Sequence, residues 1–254
     1  MFDIARHFNA KHGLKRVVEV GWVIDAEKSG LIWDAPKPYA RGLPKPSSAK
    51  SVQVCPAAVD LDARHFVVPC PIDLHLRINL QPNAEPKLIN AAGAQTTVRS
   101  KHLNQMISVI SRAEWRHPER PILQITTPYL FLSDDVAYIN QLPPYLDYCD
   151  PPWPGTLICG RFPAHIWPRH LMWAFEWFDT SKDLMIKRGD PWFFVRFETE
   201  DPSRPVRLAE AETPPEVRSY IDSISGVANY VNRTFSLFER AQSRRPKTLL
   251  FKKT

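Results

Sequence analysis

The chain has 254 residues, 44% hydrophobic and 24% charged, a balance that suits a folded globular protein and speaks against disorder. Its formal net charge of +6 permits contact with nucleic acid or an acidic surface without demanding it. The 25 prolines against 9 glycines predict many short elements, because proline interrupts helix interiors and sheet ladders. No apolar run reaches the roughly 18 residues that span a bilayer. Residues 1–12 lack the apolar core of a leader, so the expected setting is cytoplasmic, without membrane contact. Cys55, Cys70, Cys149 and Cys159 are widely spaced and form no C-x-x-C; they read as buried thiols.

In chain order, residues 17–24 read as a strand. Residues 35–50 hold Pro36, Pro38, Pro44 and Pro46 and read as a stiff arm. Residues 65–68 form a short apolar strand. Residues 73–80 alternate strictly, with Leu74, Leu76, Ile78 and Leu80 on one face and Asp73, His75, Arg77 and Asn79 on the other, the mark of a half-buried strand. Leu103, Met106, Ile107 and Ile110 fall at helical spacing and predict one short helix over residues 98–110. Residues 122–132 return to strand character, with 136–139 as the expected partner across a turn at Ser133, Asp134 and Asp135.

Residues 156–162 read as one strand and residues 170–178 as another, its Leu171, Trp173, Phe175 and Trp177 facing one way. A turn at Arg188–Gly189–Asp190–Pro191 separates residues 184–187 from an aromatic strand at 192–197. Short strands at near-regular intervals predict a mainly β fold, an antiparallel sandwich or barrel. The period then changes. Thr213, Pro214 and Glu216 spell a helix start. Val217, Ile221, Ile224, Ala228, Val231, Phe235 and Phe238 follow as a seam of about three heptads. A long C-terminal helix is expected, laid across the β-domain or shared between subunits. The expected organisation is an N-terminal strand and arm (1–50), a β core (51–210), and a C-terminal helix with a basic tail (211–254).

G-x-S-x-G, P-loop, H-E-x-x-H and G-x-G-x-x-G patterns are all missing. One candidate centre joins His165, His170 and Glu176 with His75 as a histidine–carboxylate set, which would take a divalent metal such as iron or manganese. The other reading of these residues is rim histidines and a paired glutamate. The polar strand face carrying Asp73 and Arg77 is a candidate ligand-binding surface, or else the wet side of an edge strand. Arg244, Arg245, Lys247, Lys252 and Lys253 form a basic tail that could meet nucleic acid or simply be solvated.

Pro71-Ile72-Asp73-Leu74-His75-Leu76 resembles the P-x-x-D-L-x-L strand of the dUTPase and dCTP deaminase superfamily. Pro154-Gly155-Thr156 and Leu184-Met185-Ile186-Lys187-Arg188-Gly189-Asp190-Pro191 resemble its later strands. The resemblance implies a β-clip-like or jelly-roll fold and a nucleotide contact through Asp73. The G-R-S-S phosphate motif of that superfamily has no counterpart, which leaves hydrolysis without support. Residues 121–198, through Thr127-Pro128-Tyr129, Phe175-Glu176-Trp177 and Lys187-Arg188-Gly189-Asp190-Pro191, resemble a group of uncharacterised proteins common in marine phage genomes. That implies a viral setting, in host cytoplasm or virion, with a phage or host protein as partner.

Three functions follow as expectations. The first is a non-enzymatic phage-associated protein that works by binding or assembly, self-associating through the C-terminal helix. The second is a cupin-like metal-dependent enzyme. The third is a nucleotide-binding β-clip protein.

Overall fold

The computed structural model of the chain describes residues 17–25, 31–40, 48, 50–81, 84–93, 103, 105–230 and 232–253. The protein is mainly β, as the alternation predicts, and its described strands form three sheets. In the largest, β1 (Val18–Ile24) lies between β14 (Val206–Glu212), to which it is parallel, and β7 (Ile122–Leu132), to which it is antiparallel. β11 (His170–Trp177) and β9 (Gly155–Leu157) continue beyond β7. β15 (Phe251–Lys252) edges β14, and β6 (Ile107–Val109) pairs with the first half of β7. The second sheet runs β10 (Gly160–Pro163), β8 (Ala137–Leu142), β13 (Pro191–Thr199), β3 (His65–Pro69), β2 (Lys37–Pro38). The third is β12 (Leu184–Ile186), β4 (Leu74–Asn79) and β5 (Lys87–Asn90).

Aromatic side chains tie the first two sheets together. Trp173 of β11 stacks on Trp192 of β13 at 5.4 Å, and Phe131 of β7 meets Phe197 of β13 at 5.7 Å. The inward face of β11 is as expected: Leu171, Trp173, Phe175 and Trp177 are all buried. Leu74, Leu76 and Ile78 of β4, with Leu184 and Ile186 of β12, close the same core. Burying residues this large is the main stabilising term of such a fold.

The opposite face of the first sheet carries a helical layer. Leu130 and Leu132 point away from the aromatic core and pack under α2 (Pro215–Ser223) and α3 (Thr234–Arg244) with Trp167 and Leu249. The remaining described helix, α1 (Pro56–Ala63), has no buried residue and leads into β3. No described helix is long and apolar enough to cross a membrane.

Several expectations are corrected. The long C-terminal helix is two helices with a 3-10 turn at Val227–Tyr230 between them. Ile224 leaves helical geometry at φ −111°, Gly226 follows, and Asn232 sits at φ 63°, a left-handed conformation that ends a helix. Of the expected seam, Val217, Ile221 and Ile224 are buried and Phe238 packs half-buried against the same cluster, Ala228 and Val231 lie outside the described side chains, and in α3 the inward place is taken by Leu237, which the seam did not include. Phe235 is left 81% exposed. The expected cap shifts by one residue: Pro214 is the N-cap and Thr213 Oγ1 accepts from Arg218 Nη2 at 3.1 Å.

The predicted partnership of β7 with the strand after it fails, because β8 joins the second sheet and pairs with β10 and β13. The single strand expected at 156–162 breaks into β9 and β10, one in each large sheet. Of the helix expected over 98–110, residues 98–102 and 104 lie outside the described residues. Leu103, Gln105 and Met106 are helical, and Ile107–Val109 is strand β6. Among the cysteines only Cys70 is buried; its thiol is pushed up to about 12 by burial, and all four are free. Of the proline-rich arm, Lys37–Pro38 is paired to β3, while residues 41–47 and 49 lie outside the described residues.

Candidate functional site

Each candidate metal ligand has a separate neighbour. His75, on the outer face of β4, has Nε2 2.8 Å from Asp183 Oδ2. His165 follows β10, with Nδ1 3.0 Å from the Ala137 carbonyl, and burial pushes its pKa down. His170 opens β11 and places Nε2 3.1 Å from Asp25 Oδ2. Glu176, near the far end of β11 and 2% exposed, accepts from Arg116 Nη2. Among the described residues no three histidine, cysteine or carboxylate side chains gather as a group able to hold a metal.

The polar face of β4 is built differently from a cleft. Arg77 donates to both oxygens of Asp183, at 2.7 and 2.8 Å. These bonds, and then His75, hold the Asp183 carboxyl below its usual range. Asp73 accepts from the Arg188 backbone N–H at 2.8 Å. Its carboxylate thereby braces the turn in which Gly189 takes φ 86°. The basic tail is folded back in part. Arg245 binds the His165 carbonyl and Asp134, Lys252 pairs with Glu19, and Lys253 with Glu210.

One sequence candidate, His170, lies in a cavity. Val23 of β1 and His170 of β11 both face Leu130 of β7 in register, so the three make a row across the largest sheet. α2 crosses above that row. Arg218, Ile221 and Asp222 are spaced for one helix face and line the roof. Asp25, just past the end of β1, and Thr213, just before α2, close the ends. The described walls enclose about 240 Å³.

The polar groups of this cavity converge on Asp25, whose side chain is 10% exposed. Oδ2 faces His170 Nε2 and, at 3.8 Å, Arg218 Nη1. Oδ1 is buried and has no hydrogen-bond partner among the described residues. A buried acceptor left unsatisfied costs about 1–3 kcal/mol, and more when charged. Such a group is uncommon in native proteins. The floor is apolar (Val23, Leu130) and the rim polar, the usual make-up of a small-molecule site. The arrangement can accept a donor from a ligand at Asp25.

Sequence reasoning found His170 for another reason and missed Asp25, Thr213, Arg218 and Asp222. One signal was available: Arg218 and Asp222 flank Ile221 at helical spacing, charges placed beside the apolar stripe. Nothing in the sequence tied them to Asp25. Comparison with known proteins gave no matching family model, no significant match among curated proteins and none among solved structures.

Proposed function

We propose that the protein is a phage-associated binding protein whose small ligand sits between α2 and the β1–β7–β11 face of the largest sheet. The observation that carries this reading is Asp25 Oδ1, a buried carboxylate oxygen without a donor among the described residues, in the wall of a cavity of about 240 Å³. The phage setting rests on the resemblance of residues 121–198, which supply β7 to β13. The face-to-face packing of the two larger sheets supports a sandwich architecture, to which the parallel β1–β14 pair and the helical layer are additions.

The test is a fragment screen by saturation-transfer NMR on the full chain and on Leu130→Trp, which fills the floor of the cavity. Fragments should bind the wild type and lose their signal with the variant. A screen in which no fragment distinguishes the two proteins would sink the reading.

Assembly of copies is a second reading, favoured by Phe235. It stands 81% exposed on α3, while Leu237 and Ala241 of the same helix are buried. Native mass spectrometry of the untagged protein should then give a defined oligomer that Phe235→Asp dissociates. A monomer in both samples would end this reading.

A further inference from the structure

We infer that the cavity under α2 takes a small organic cation: an amine, amidine or guanidine carried on a compact apolar body. This rests on the cavity being a ligand site. Its one cationic side chain that is charged at every working pH, Arg218, is already engaged. Nη1 lies 3.8 Å from Asp25 Oδ2 and Nη2 donates to Thr213 Oγ1. Among the described residues, what remains unmatched is negative. Asp25 Oδ1 has no donor, and Asp222, exposed on the roof, forms no ion pair or side-chain hydrogen bond.

A carboxylate only accepts hydrogen bonds. The group that completes Asp25 must therefore donate, and a ligand anion would meet two carboxylates. A cationic N–H donor answers both groups with a charge-assisted bond, about twice as strong as a neutral one. Size points the same way. At about 30 Å³ per water, the cavity of about 240 Å³ replaces about eight waters, the bulk of one ring bearing one amidine. Val23, Leu130 and Ile221 would cover the faces of such a ring, and a body of that size falls below the drug-sized range of about 300–1,000 Å³.

Benzamidine, benzamide and benzoate share one body and differ in charge, which makes them the probes. Each is titrated into the full chain by calorimetry, with melting temperature followed in parallel. Benzamidine should bind at one site per chain and raise the melting temperature, since a ligand of the native state stabilises it. Benzoate should do neither. Asp25→Asn and Asp222→Asn should each weaken benzamidine about tenfold or more, through loss of a charge-assisted bond and of Coulomb attraction. Asp222 is exposed, so its variant carries the test even where Asp25→Asn folds poorly. Benzoate or benzamide binding as tightly as benzamidine, with Leu130→Trp abolishing it, would overturn the cation and keep the pocket. No binding by any of the three would overturn the cation; if the fragment screen also failed to separate wild type from Leu130→Trp, the pocket reading would fall with it.

Discussion

Glu176 shows how much one buried charge depends on a single distant side chain. It is 2% exposed, and its ion-pair partner is Arg116, itself 60% exposed. Removing the partner of a buried carboxylate leaves its desolvation uncompensated. Because Arg116 is well solvated, the penalty is tempered. Arg116→Ala is expected to cost about 1–3 kcal/mol, read as a lower urea midpoint with unchanged slope. A midpoint equal to wild type would mean that Glu176 finds another donor. His65 offers a second single-residue effect. Burial pushes its imidazole below the ordinary value of 6.5. Tyr145 Oη lies 2.8 Å from Nε2 and the Leu61 carbonyl 2.6 Å from Nδ1, an arrangement that suits the neutral ring. As pH falls past 6.5 the unfolded chain takes up a proton that the folded chain refuses. Stability is therefore full above that value and declines below it, levelling off beneath the folded pKa. His165, pushed down by burial and then by Arg245, adds to the same decline. Glu19, held low by Lys252 and then Arg207, contributes only further down, below 4.5. In urea titrations His65→Gln should show a flatter dependence between about pH 6.5 and 5 than wild type. Equal slopes would remove His65 from the account. These residues also mark what was legible. Glu176 between two aromatic residues and His170 at a strand start stand out in the sequence, but their partners, Arg116 and Asp25, are distant in the chain and carry no motif.

At the scale of elements, alternation was readable and pairing was not. β4 and β11 bury the faces their period-two pattern assigns, because a one-residue slip would turn every apolar side chain to water. β7 fits as an eleven-residue strand, yet both of its faces are covered, by the aromatic core on one side and the helices on the other. No hairpin with β8 forms because both edges of β7 are taken, one by β1 and β6 and the other by β11. The residues expected to make its turn serve other contacts: Ser133 Oγ donates to the Glu19 carbonyl, and Asp135 pairs with Arg204. β14 was missed because its run of Glu210, Ala211 and Glu212 has little β character, and its parallel partner β1 lies far away in sequence. Two glycines are required by such close approaches. A Cβ at Gly155 would sit 2.0 Å from the Glu176 carbonyl oxygen and 2.9 Å from Trp177 Cα, both backbone atoms of β11. At Gly21 it would meet Leu250 Cδ1 at 2.5 Å and Ala211 Cβ at 2.7 Å. Backbone yields less readily than a leucine tip, so Gly155→Ala should be the worse, at about 3 kcal/mol or more against about 1–2 for Gly21→Ala. Thermal unfolding of the two variants orders them; the reverse order would mean that β9 can shift on β11.

For the molecule as a whole, the C-terminal residues act as a strap. Composition presents them as a basic tail, but Leu249 is fully buried and Asp134, in the connection between β7 and β8, holds them from several directions. Its carboxylate accepts from the backbone N–H groups of Leu249 at 2.6 Å and Leu250 at 3.4 Å, and from Arg245 Nη2 at 3.2 Å. Lys252 and Lys253 then pair with Glu19 and Glu210, fixing β15 along β14. The strap thus joins the outer edge of the largest sheet to the corner where the chain leaves that sheet for the second. It also covers the helical layer beside the cavity, since Leu249 shares its apolar cluster with Leu130 and Ile221. Deleting residues 246–254 removes a buried leucine and the acceptor's backbone partners together, so a loss of about 3–5 kcal/mol is expected. Asp134→Ala, which leaves the leucine in place but frees its backbone, should lose about 1–3 kcal/mol. The two changes act on one contact, so Asp134→Ala made in the deleted chain should cost little more, a coupling that independent sites do not show. Urea unfolding of the two single variants and the double variant measures that coupling. Additive losses would mean that Asp134 supports the β7–β8 corner by itself, with the last residues resting on the sheet independently of it.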